Sequence, residues 1–526
     1  MERQSFLRGA ILLTFAGLAS KVLGAIYLVP LTRLIGPEGV GLYQMSYPIY
    51  GIMLVLSASG LPVAISKMVA ERAAHHDHAG AERVFRVAFF FLLLAGLVFS
   101  ILLYGAAGFI ARRFLGDPRS YYTVKSIAPA VFLVAVMSAF RGYFQGLGTM
   151  LPTALSQLSE QVVRVVLALA LAYILLPKGV EFSAAGSAMG AVGGALTGFV
   201  VLTVIYLKDK QSGRHPHHMG HHPVESHLSL TKSLLAFAIP ATIGSLVAPA
   251  ADLANAAIIP ARFQAAGLDV REATSLYGQL AAMGMSLISF PTVFTTAFAT
   301  SLVPAIAGSI STGDIMSARA RAQEAMRFTL MIAVPSFVGL RELAAPIADL
   351  LFGCPGAGAP LAVLAPGTVF LCIQQTSSGI LQGLGKPAQS ARNLLIGLGS
   401  GVVLNYYLAG VPSLTVRGAA LGIVAGLAIA CLLNFAMASR LLGGIISTVS
   451  TARVLLASVL IQPVIRYAYS YMLSWSPSRS MATASCILVT VISYFAILLL
   501  THEITPGEFA GLPYISRLVA VFHRRT

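Results

Sequence analysis

The sequence predicts an all-α membrane protein that crosses the bilayer about fourteen times. Of its 526 residues, 57% are hydrophobic and only 10% are charged, and the mean hydropathy is +0.81. A soluble protein of this length carries about a quarter charged residues. The apolar residues also fall into runs of about 20, the length that a helix needs to cross the hydrocarbon core. These observations exclude a soluble globular domain.

Fourteen apolar segments follow one another along the chain, at 9–31, 44–66, 87–110, 124–146, 154–176, 184–207, 233–260, 277–306, 328–352, 360–382, 393–410, 418–439, 454–473 and 481–501. The longest polar stretch separates the first six from the last eight. The chain is therefore predicted to have four parts: a six-helix N-terminal lobe (1–207), a cytoplasmic His-rich linker (208–232), a six-helix C-terminal lobe (233–442), and two extra helices with a cytoplasmic tail (443–526).

The basic residues set the predicted orientation. The formal net charge is +16, from 35 Lys and Arg against 19 Asp and Glu. These residues occupy short loops, and no basic block interleaved with aromatic residues occurs, which argues against nucleic acid as a partner. Loops on the side of the N-terminus carry about twice as many basic residues as loops on the opposite side. Both termini are therefore predicted to be cytoplasmic, and the basic residues are expected to contact anionic membrane lipids.

The two lobes resemble each other in sequence. Three features recur in the same order at offsets of 230–242 residues: Q-G-L-G at Gln145–Gly148 and Gln382–Gly385, L-P-V-A-I at Leu61–Ile65 with V-P-A-I at Val303–Ile306, and Pro30 with Pro260. Repeats of six spans enter the membrane from the same side, so an axis along the membrane normal is expected to relate them. The first two spans of each lobe contain Pro or Gly, a pattern that indicates a transport site between lobes. Proline is also common in membrane helices generally, which is the alternative explanation.

A lysine lies in the middle of the first apolar segment. Lys21 stands about a dozen residues into the run, which places its ammonium near mid-membrane. A charge at that depth costs about 3 kcal/mol or more, so Lys21 is expected to face a cavity or a partner. We predict that Gly24, Pro30 and Pro260 bend their helices as hinges of a gate. Packing of Lys21 against a carboxylate is the alternative, but spans one to four contain no central acid.

Further charges lie within apolar segments. Arg141 has no acidic neighbour on its own helix, so it is the better candidate for a cation that faces a cavity. Glu160 and Arg164 are four residues apart, a spacing at which they can neutralise each other. Arg341 and Glu342 are adjacent and project in different directions, so each needs a partner elsewhere. We assign five residues to substrate binding: Lys21, Arg141, Arg164, Arg341 and Glu160.

No catalytic, cofactor or metal site is predicted. The chain has no G-x-x-x-x-G-K-[ST] phosphate loop, no H-E-x-x-H and no nucleophile–base constellation. Its four cysteines form no C-x-x-C, which argues against a disulfide framework or a zinc site. Six histidines lie in Arg214–His227, among helix-breaking Pro and Gly residues. We interpret that stretch as a solvated linker, with metal binding as the alternative. The sequence predicts a transporter and not an enzyme.

Several stretches resemble a known superfamily. S-K-V-L-G (Ser20–Gly24) and L-T-R-L-I-G-P-E-G-V-G-L-Y (Leu31–Tyr43) are similar to the first helix and loop of the multidrug/oligosaccharidyl-lipid/polysaccharide exporters. Leu276–Ile306 resembles the eighth helix of the branch that holds the stage V sporulation protein B proteins and the Gram-positive lipid II flippases, and Q-G-L-G fits its fourth helix. The resemblance covers nearly the whole chain. It implies two lobes that alternate between inward-open and outward-open states, and a groove for the lipid tail formed by the two extra helices.

The resemblance also implies roles for individual residues. In the Gram-negative lipid II flippases, basic residues of the first, second and eighth helices line the cavity, and Lys21 matches the first of them. Tyr27 stands where a second arginine follows one turn later. The second-helix and eighth-helix positions fall among uncharged residues, around Ser57–Gly60 and Met285–Ser289. We expect the missing cations to be replaced by Arg141, Arg164 and Arg341.

The function expected from these observations is a flippase for a polyprenyl-pyrophosphate-linked saccharide in the bacterial cytoplasmic membrane. Lipid II, of vegetative or spore-cortex peptidoglycan, is the first candidate substrate, and Lys21 with Arg141 would attract its pyrophosphate. Two alternatives stay open. Nothing in the sequence encodes the sugar, so another lipid-linked repeat unit fits equally, and a cation-coupled drug exporter would need a mid-membrane carboxylate that the first two helices lack. We expect a monomeric transporter driven by an ion gradient or by the membrane potential.

Overall fold

The protein is helical throughout the residues that the computed structural model describes, which are 6–58, 60–211, 226–476 and 478–504. No β-strand occurs in these ranges. The first helices are α1 (Phe6–Ile26), α2 (Leu28–Ala58), α3 (Leu61–Ala74), α4 (His78–Phe109), α5 (Ser120–Gly146), α6 (Leu151–Leu175) and α7 (Val180–Gln211). A π-helical turn, Ile110–Phe114, follows α4, and a 3-10 turn, Leu176–Lys178, follows α6.

The remaining described helices complete the all-α fold. They are α8 (His227–Ala265), α9 (Val270–Gly278), α10 (Met285–Ser289), α11 (Thr292–Ser311), α12 (Ile315–Glu342), α13 (Ala344–Phe352), α14 (Gly358–Leu364), α15 (Pro366–Gly383), α16 (Pro387–Leu408), α17 (Thr415–Leu442), α18 (Thr448–Trp475) and α19 (Arg479–Leu500). A π-helical turn, Gln279–Gly284, joins α9 to α10, and a 3-10 turn, Pro355–Ala357, precedes α14. The predicted fold class is confirmed.

Ten helical stretches in the described ranges are long and apolar enough to cross a membrane, and twelve if two bent helix pairs each count as one span. The first stretch, Phe15–Ala74, has 60 residues and contains two of the predicted segments, 9–31 and 44–66. The predicted segment 393–410 corresponds to α16, which is not among the twelve. Counting Phe15–Ala74 as two crossings and α16 as one gives about fourteen, in agreement with the sequence.

The helices break at other residues than the predicted hinges. Tyr27 is a single turn residue between α1 and α2, midway between Gly24 and Pro30. Within α2, Gly36 has φ 69° and ψ 176° and kinks the helix, a conformation that favours glycine. Pro260, by contrast, lies inside α8, which is one helix along its length. Of the two bent pairs of apolar helices in the described ranges, the sharper, at 85°, is α12 with α13, inside the predicted segment 328–352.

The internal repeat predicted from the sequence recurs in the packing of each half. In both halves, two glycines of one helix lie so close to another helix that an added Cβ would come within about 3 Å of a carbonyl oxygen. The contacting pairs are Gly142 with Pro62, Gly146 with Ser66, Gly379 with Ala299, and Gly383 with Val303. Each residue of the last two pairs lies 237 positions after its counterpart in the first two (62 to 299, 142 to 379). The internal repeat is therefore present in the structure as equivalent helix packing within each half.

The chain forms two compact units. The first contains the described residues of Met1–Ser286 together with Leu398–Ile423, and the second contains those of Leu287–Gly397 and Val424–Thr526. The helices α8 and α9, predicted for the C-terminal lobe, belong to the first unit, where both pack against α2. The four-part division into 1–207, 208–232, 233–442 and 443–526 stays a prediction. Most of the His-rich linker lies outside the described residues, as does the tail after residue 504.

The two extra helices belong to the core of the second unit. Buried residues of α18 and α19 pack with those of α12, and the Tyr494 hydroxyl donates to the backbone oxygen of Met331 (3.1 Å). Just after α19, the carboxylate of Glu503 is 2% exposed. It accepts a hydrogen bond from Arg327 of α12 (2.8 Å) and pairs with Arg453 of α18 (3.8 Å). We call these three residues the Glu503 cluster; it fastens the end of α19 to both helices.

Candidate functional site

Two arginines share one carboxylate inside the first unit. Glu160 of α6 accepts a hydrogen bond from Arg141 of α5 at Oε2 (2.8 Å) and from Arg164 of α6 at Oε1 (2.5 Å). The three side chains are only 12–17% exposed. Glu160 lies about 14 Å along α6 from its first residue, well inside the membrane-spanning part of the helix. We call these residues the Glu160 cluster. It holds two positive charges and one negative charge.

The structure gives Arg141 an acidic partner on another helix, and its role in substrate binding stays a prediction. The sequence offers it no acidic neighbour on its own helix, but in the fold it pairs with Glu160 and its Nε donates to Ser156 Oγ (3.2 Å). The predicted Glu160–Arg164 pair does form. Glu160 does not pair with Arg164 alone, however, because the same carboxylate also accepts a hydrogen bond from Arg141. The reason is tertiary: α5 packs against α6, and helical spacing within one segment does not reveal that neighbour.

Small residues on α7 hold this part of α6 in place. A Cβ at Gly194 would lie 2.6 Å from the carbonyl oxygen of Glu160 and 2.9 Å from Cβ of Arg164. A Cβ at Gly190 would lie 2.7 Å from the carbonyl oxygen of Arg164. The α6 backbone therefore rests directly on that of α7 at both charged positions. We therefore expect a change at Glu160 and Arg164 to come from their side chains and not from a shift of α6 toward α7.

Tyrosines surround the second arginine of the cluster. Arg164 lies within electrostatic reach of four of them, Tyr27, Tyr43, Tyr47 and Tyr50. The hydroxyl of Tyr27 donates to that of Tyr43 (2.9 Å), and the three rings on α2 follow one another at centroid distances of 5.5 and 5.7 Å. Tyr27 stands where the resemblance would place a second arginine. The fold supplies a cation near that place from α6 instead.

Lys21 lies on α1 and is exposed. Its helix packs against α6, because a Cβ at Gly24 would come 3.2 Å from Nε2 of Gln161. Tyr27, the turn residue just after α1, lies within electrostatic reach of Arg164, which is one turn after Gln161 on α6, so α1 and α6 run side by side in the same direction. Lys21 precedes Gly24 by one helical turn. Measured along the two helix axes, it therefore lies about one turn before Gln161. In the part of the chain that the structure describes, Lys21 forms no ion pair.

Arg341 lies in the second unit, at the end of α12. It is exposed and directly precedes the 85° bend to α13. Its neighbour Glu342 accepts two hydrogen bonds from Arg466 of α18 (2.8 and 3.0 Å), so the partner predicted for Glu342 is Arg466. Arg341 has no such ion pair among residues 226–476 or the other described ranges. Its role in substrate binding stays a prediction.

The three predicted hinge residues differ in their surroundings. Gly24 lies against α6, Pro30 is exposed near the start of α2, and Pro260 is buried within α8. Only Gly24 and Pro30 flank a break, the one at Tyr27. The role of all three as hinges stays a prediction.

A second charged cluster joins three loops that the sequence places on one side of the membrane. Asp117, buried between α4 and α5, accepts hydrogen bonds from the Arg119 guanidinium (2.7 and 3.1 Å) and from Thr274 Oγ1 of α9 (2.8 Å). Arg119 also pairs with Glu38 of α2. Burial disfavours the charged form of Arg119, but its hydrogen bonds to Asp117 and Glu38 outweigh burial and raise the pKa of the guanidinium. We call these four residues the Asp117 cluster.

The helices α2 and α9 touch through glycine beside the Asp117 cluster. A Cβ at Gly278 would fall against the carbonyl oxygen of Pro37 and 2.8 Å from the backbone nitrogen of Gly41. A Cβ at Gly41 would lie 3.0 Å from the carbonyl carbon of Thr274. The two backbones therefore meet with no side chain between them.

Sequence reasoning missed the tyrosines and the Asp117 cluster for different reasons. The spacing of Tyr43, Tyr47 and Tyr50 places them on one helical face, a signal that the sequence contains. Asp117 and Thr274 are 157 residues apart, and no local pattern links them. Within the described ranges, no group of three or more His, Cys, Asp or Glu residues could hold a metal ion.

Comparison with known proteins identifies the family. Residues 6–309 match the model of a family described as "Polysaccharide biosynthesis protein". The chain is 31% identical over 519 residues to stage V sporulation protein B of Bacillus subtilis, covering 99% of this chain and 100% of that protein. It is 28% identical over 458 residues to the lipid II flippase MurJ of the same organism, covering 82% of each.

A solved structure agrees in fold. The lipid II flippase MurJ in an inward closed conformation superposes with a TM-score of 0.66 and 14% sequence identity, over 94% of this chain and 99% of that one. The resemblance drawn from the sequence is therefore confirmed, and the protein crosses a membrane several times. The chain belongs to the polysaccharide biosynthesis protein family.

Proposed function

We propose that this protein is a flippase that carries a polyprenyl-pyrophosphate-linked saccharide across the membrane, with lipid II as the first substrate to test. The observation that carries this proposal is the Glu160 cluster. Two guanidinium groups lie within membrane-spanning helices, where charged residues are costly and mark substrate or ion pathways. The similarity to a relative that is named a lipid II flippase supports the same function.

The cluster suits a pyrophosphate chemically. Arg141 and Arg164 each present a planar set of N–H donors that matches the spacing of phosphate oxygens. Lys21 lies on the adjacent helix, about two turns before Arg164 in level, and is the third cation that we assign to the site. The hydroxyl of Tyr50 is buried and has no partner among the described residues, so it is a further hydrogen-bonding group close to the cluster.

The second half of the repeat lacks these charges. The counterpart of Arg141, 237 positions later, is Ser378, which accepts a hydrogen bond from Ser390 (2.8 Å). Beside it, Asn393 donates to Asn434 (3.0 Å). The described part of α15–α17 thus has uncharged amides and hydroxyls where α5 and α6 have an ion cluster. We infer that the anionic part of the substrate is recognised by the first unit.

We further propose the orientation and the gate. Both termini face the cytoplasm, as the distribution of basic residues predicts, and the membrane is the bacterial cytoplasmic membrane. The Asp117 cluster then lies on the extracytoplasmic side. We propose that the contact between α2 and α9 is part of a gate on that side and separates when the substrate leaves. The transporter acts as a monomer with the four-part organisation predicted from the sequence.

A reconstituted flipping assay tests the proposal. Purified full-length protein is placed in liposomes with lipid II, or with a different undecaprenyl-linked saccharide, and access to the headgroup is followed from outside. We expect the wild-type protein to transport one of these two lipids. In Arg164→Gln, the transport rate is expected to fall by about tenfold or more, because one of the two phosphate-binding guanidiniums is lost. A protein that moves neither lipid would contradict the function, and transport of only the second lipid would reassign the sugar.

Complementation tests the role of Lys21. Lys21→Ala is expected to abolish rescue of a flippase-depleted strain while its abundance in the membrane is unchanged. The matched control is Lys178→Ala, which removes an exposed lysine from the 3-10 turn after α6 and is expected to rescue normally. Full rescue by Lys21→Ala would remove Lys21 from the site.

A further inference from the structure

The carboxylate of Glu160 occupies both arginines of the proposed site at once. Oε2 accepts a hydrogen bond from Nη2 of Arg141 (2.8 Å), and Oε1 accepts one from Nη2 of Arg164 (2.5 Å). A ligand that binds both guanidiniums through the same N–H groups must therefore replace the carboxylate. Because α6 is packed directly on α7 here, we expect this exchange to occur by rotation of side chains.

Binding capacity is left over beside the carboxylate. A guanidinium carries five N–H donors, and Glu160 uses one Nη2 from each arginine. Arg164 Nε is buried and has no hydrogen-bond partner within the described residues. The Tyr50 hydroxyl is also buried and has no hydrogen-bond partner within the described residues. It lies within electrostatic reach of Arg164 and Glu160. The buried site therefore holds more donors than its own carboxylate satisfies.

We propose that Glu160 is a charge filter that makes the site select pyrophosphate over the singly charged phosphates of ordinary membrane lipids. This deepens the proposed function and rests on it, since it concerns the same two arginines. A monoanionic phosphodiester that displaces Glu160 replaces one negative charge with another and gains no charge. A pyrophosphate brings at least two negative charges, so it gives the two arginines at least one negative charge more than the carboxylate that it replaces. Only the second exchange has a net Coulombic gain, which is large at low dielectric.

The filter answers a problem that the membrane creates. Anionic phospholipids surround the protein, and an open pair of arginines would bind their headgroups. A carboxylate built into the site competes with every such headgroup at a very high local concentration. The carboxylate also pairs with the arginines again when the pyrophosphate leaves. Strong binding of the pyrophosphate therefore does not prevent its release. Glu160 thus acts as a specificity-determining residue by competing with the ligand.

A binding experiment tests the filter with two soluble probes of similar apolar size. Geranyl pyrophosphate and dihexanoyl phosphatidylglycerol are titrated into the full-length protein in a neutral detergent, and the dissociation constants are measured by calorimetry. The wild-type protein is expected to prefer geranyl pyrophosphate by about tenfold or more. In Glu160→Gln, which keeps the shape and removes the charge, phosphatidylglycerol is expected to bind about tenfold tighter, and the preference should fall below about threefold.

Three further variants make the result specific. Glu160→Asp keeps the charge and is expected to keep most of the preference. Asp349→Asn removes a carboxylate from α13 in the second unit and is expected to leave both constants unchanged. If Glu160→Gln fails to fold because two arginines face each other, the double variant Glu160→Gln/Arg164→Gln relieves that repulsion. Its single remaining arginine is expected to bind both probes within about threefold of each other.

The filter and the flippase function can fail independently. Two results would overturn the filter. In the first, Glu160→Gln binds phosphatidylglycerol no more tightly than the wild type does and keeps the preference for geranyl pyrophosphate. In the second, the double variant shows the same preference as the wild type. If liposomes containing the wild-type protein move no lipid-linked saccharide while the preference disappears in Glu160→Gln, the flippase function is wrong and the filter stands. If the wild-type protein transports the lipid and its preference does not depend on Glu160, the flippase function stands and the filter is wrong.

Discussion

The glycine contact between α2 and α9 can be loosened by one methyl group. In Gly278→Ala, the new Cβ would fall against the carbonyl oxygen of Pro37 and 2.8 Å from the nitrogen of Gly41. Both neighbours are backbone atoms, so no side chain can rotate away, and α9 must move. The substitution is expected to weaken the closed arrangement of α2 and α9 by about 3 kcal/mol.

The magnitude follows from three contributions. Overpacking a tight contact costs about 1–3 kcal/mol. Movement of α9 also strains the hydrogen bond from Thr274 to the buried Asp117 (2.8 Å). A hydrogen bond to a charged group contributes about 1.5–3 kcal/mol. Alanine returns up to about 1 kcal/mol through its higher helix propensity. The remainder, about 3 kcal/mol, corresponds to about a 100-fold change in the closed-to-open ratio.

Hydrogen–deuterium exchange measures this opening directly. In detergent, the amides of α9 are expected to lose about 100-fold in protection in Gly278→Ala, since exchange reports local opening. Gly244→Ala is the matched control, because a Cβ at that α8 position meets nothing within 4 Å. It should leave α9 unchanged. If α9 protection in Gly278→Ala stays within about threefold of wild type, the backbone contact does not hold these helices together, and the reasoning is refuted.

Three other substitutions address the second unit and the repeat. Glu503→Gln removes the buried partner of Arg327 and Arg453 and is expected to destabilise the second unit by about 3 kcal/mol, measured as a lower thermal unfolding midpoint; an unchanged midpoint would mean that the Glu503 cluster does not fasten α19. Gly142→Ala and Gly379→Ala add a methyl group at 2.8 Å from a carbonyl oxygen in equivalent places of the two halves. Each is expected to cost about 1–3 kcal/mol, and strongly unequal effects on the exchange of α5 and α15 would argue against equivalent packing.

Much of the architecture was readable in the sequence. Runs of about 20 apolar residues predict membrane helices because backbone groups in a bilayer must be satisfied within a helix. The repeat of Q-G-L-G was readable too, since close contact between helices demands glycine at the same positions of each half. The positions of the helix breaks were less predictable. Proline constrains the backbone, but whether a helix breaks at Pro260 depends on its packing, and α8 continues through it.

For the charged site, too, the sequence predicted some features, and others depended on the fold. The sequence identified Lys21, Arg141, Glu160, Arg164 and Arg341 because charges are costly in membrane helices and stand out. It also foresaw the pair of Glu160 with Arg164, which needs only helical spacing. It did not foresee that Arg141 would use the same carboxylate, or that Arg164 would lie beside Tyr27. Both facts depend on neighbours from other helices.

The sequence by itself therefore determined that this chain is a helical membrane protein with a repeated architecture and a few expensive charges. Local chemistry decides these properties: apolar length, residue spacing, and the free energy of a charge in hydrocarbon. Only the tertiary structure decided which charged and polar side chains meet. Helix packing joins Arg141 to Glu160 and Asp117 to Thr274 across 19 and 157 residues of chain. An ion pair is a property of distance in space, and distance along the sequence does not determine it.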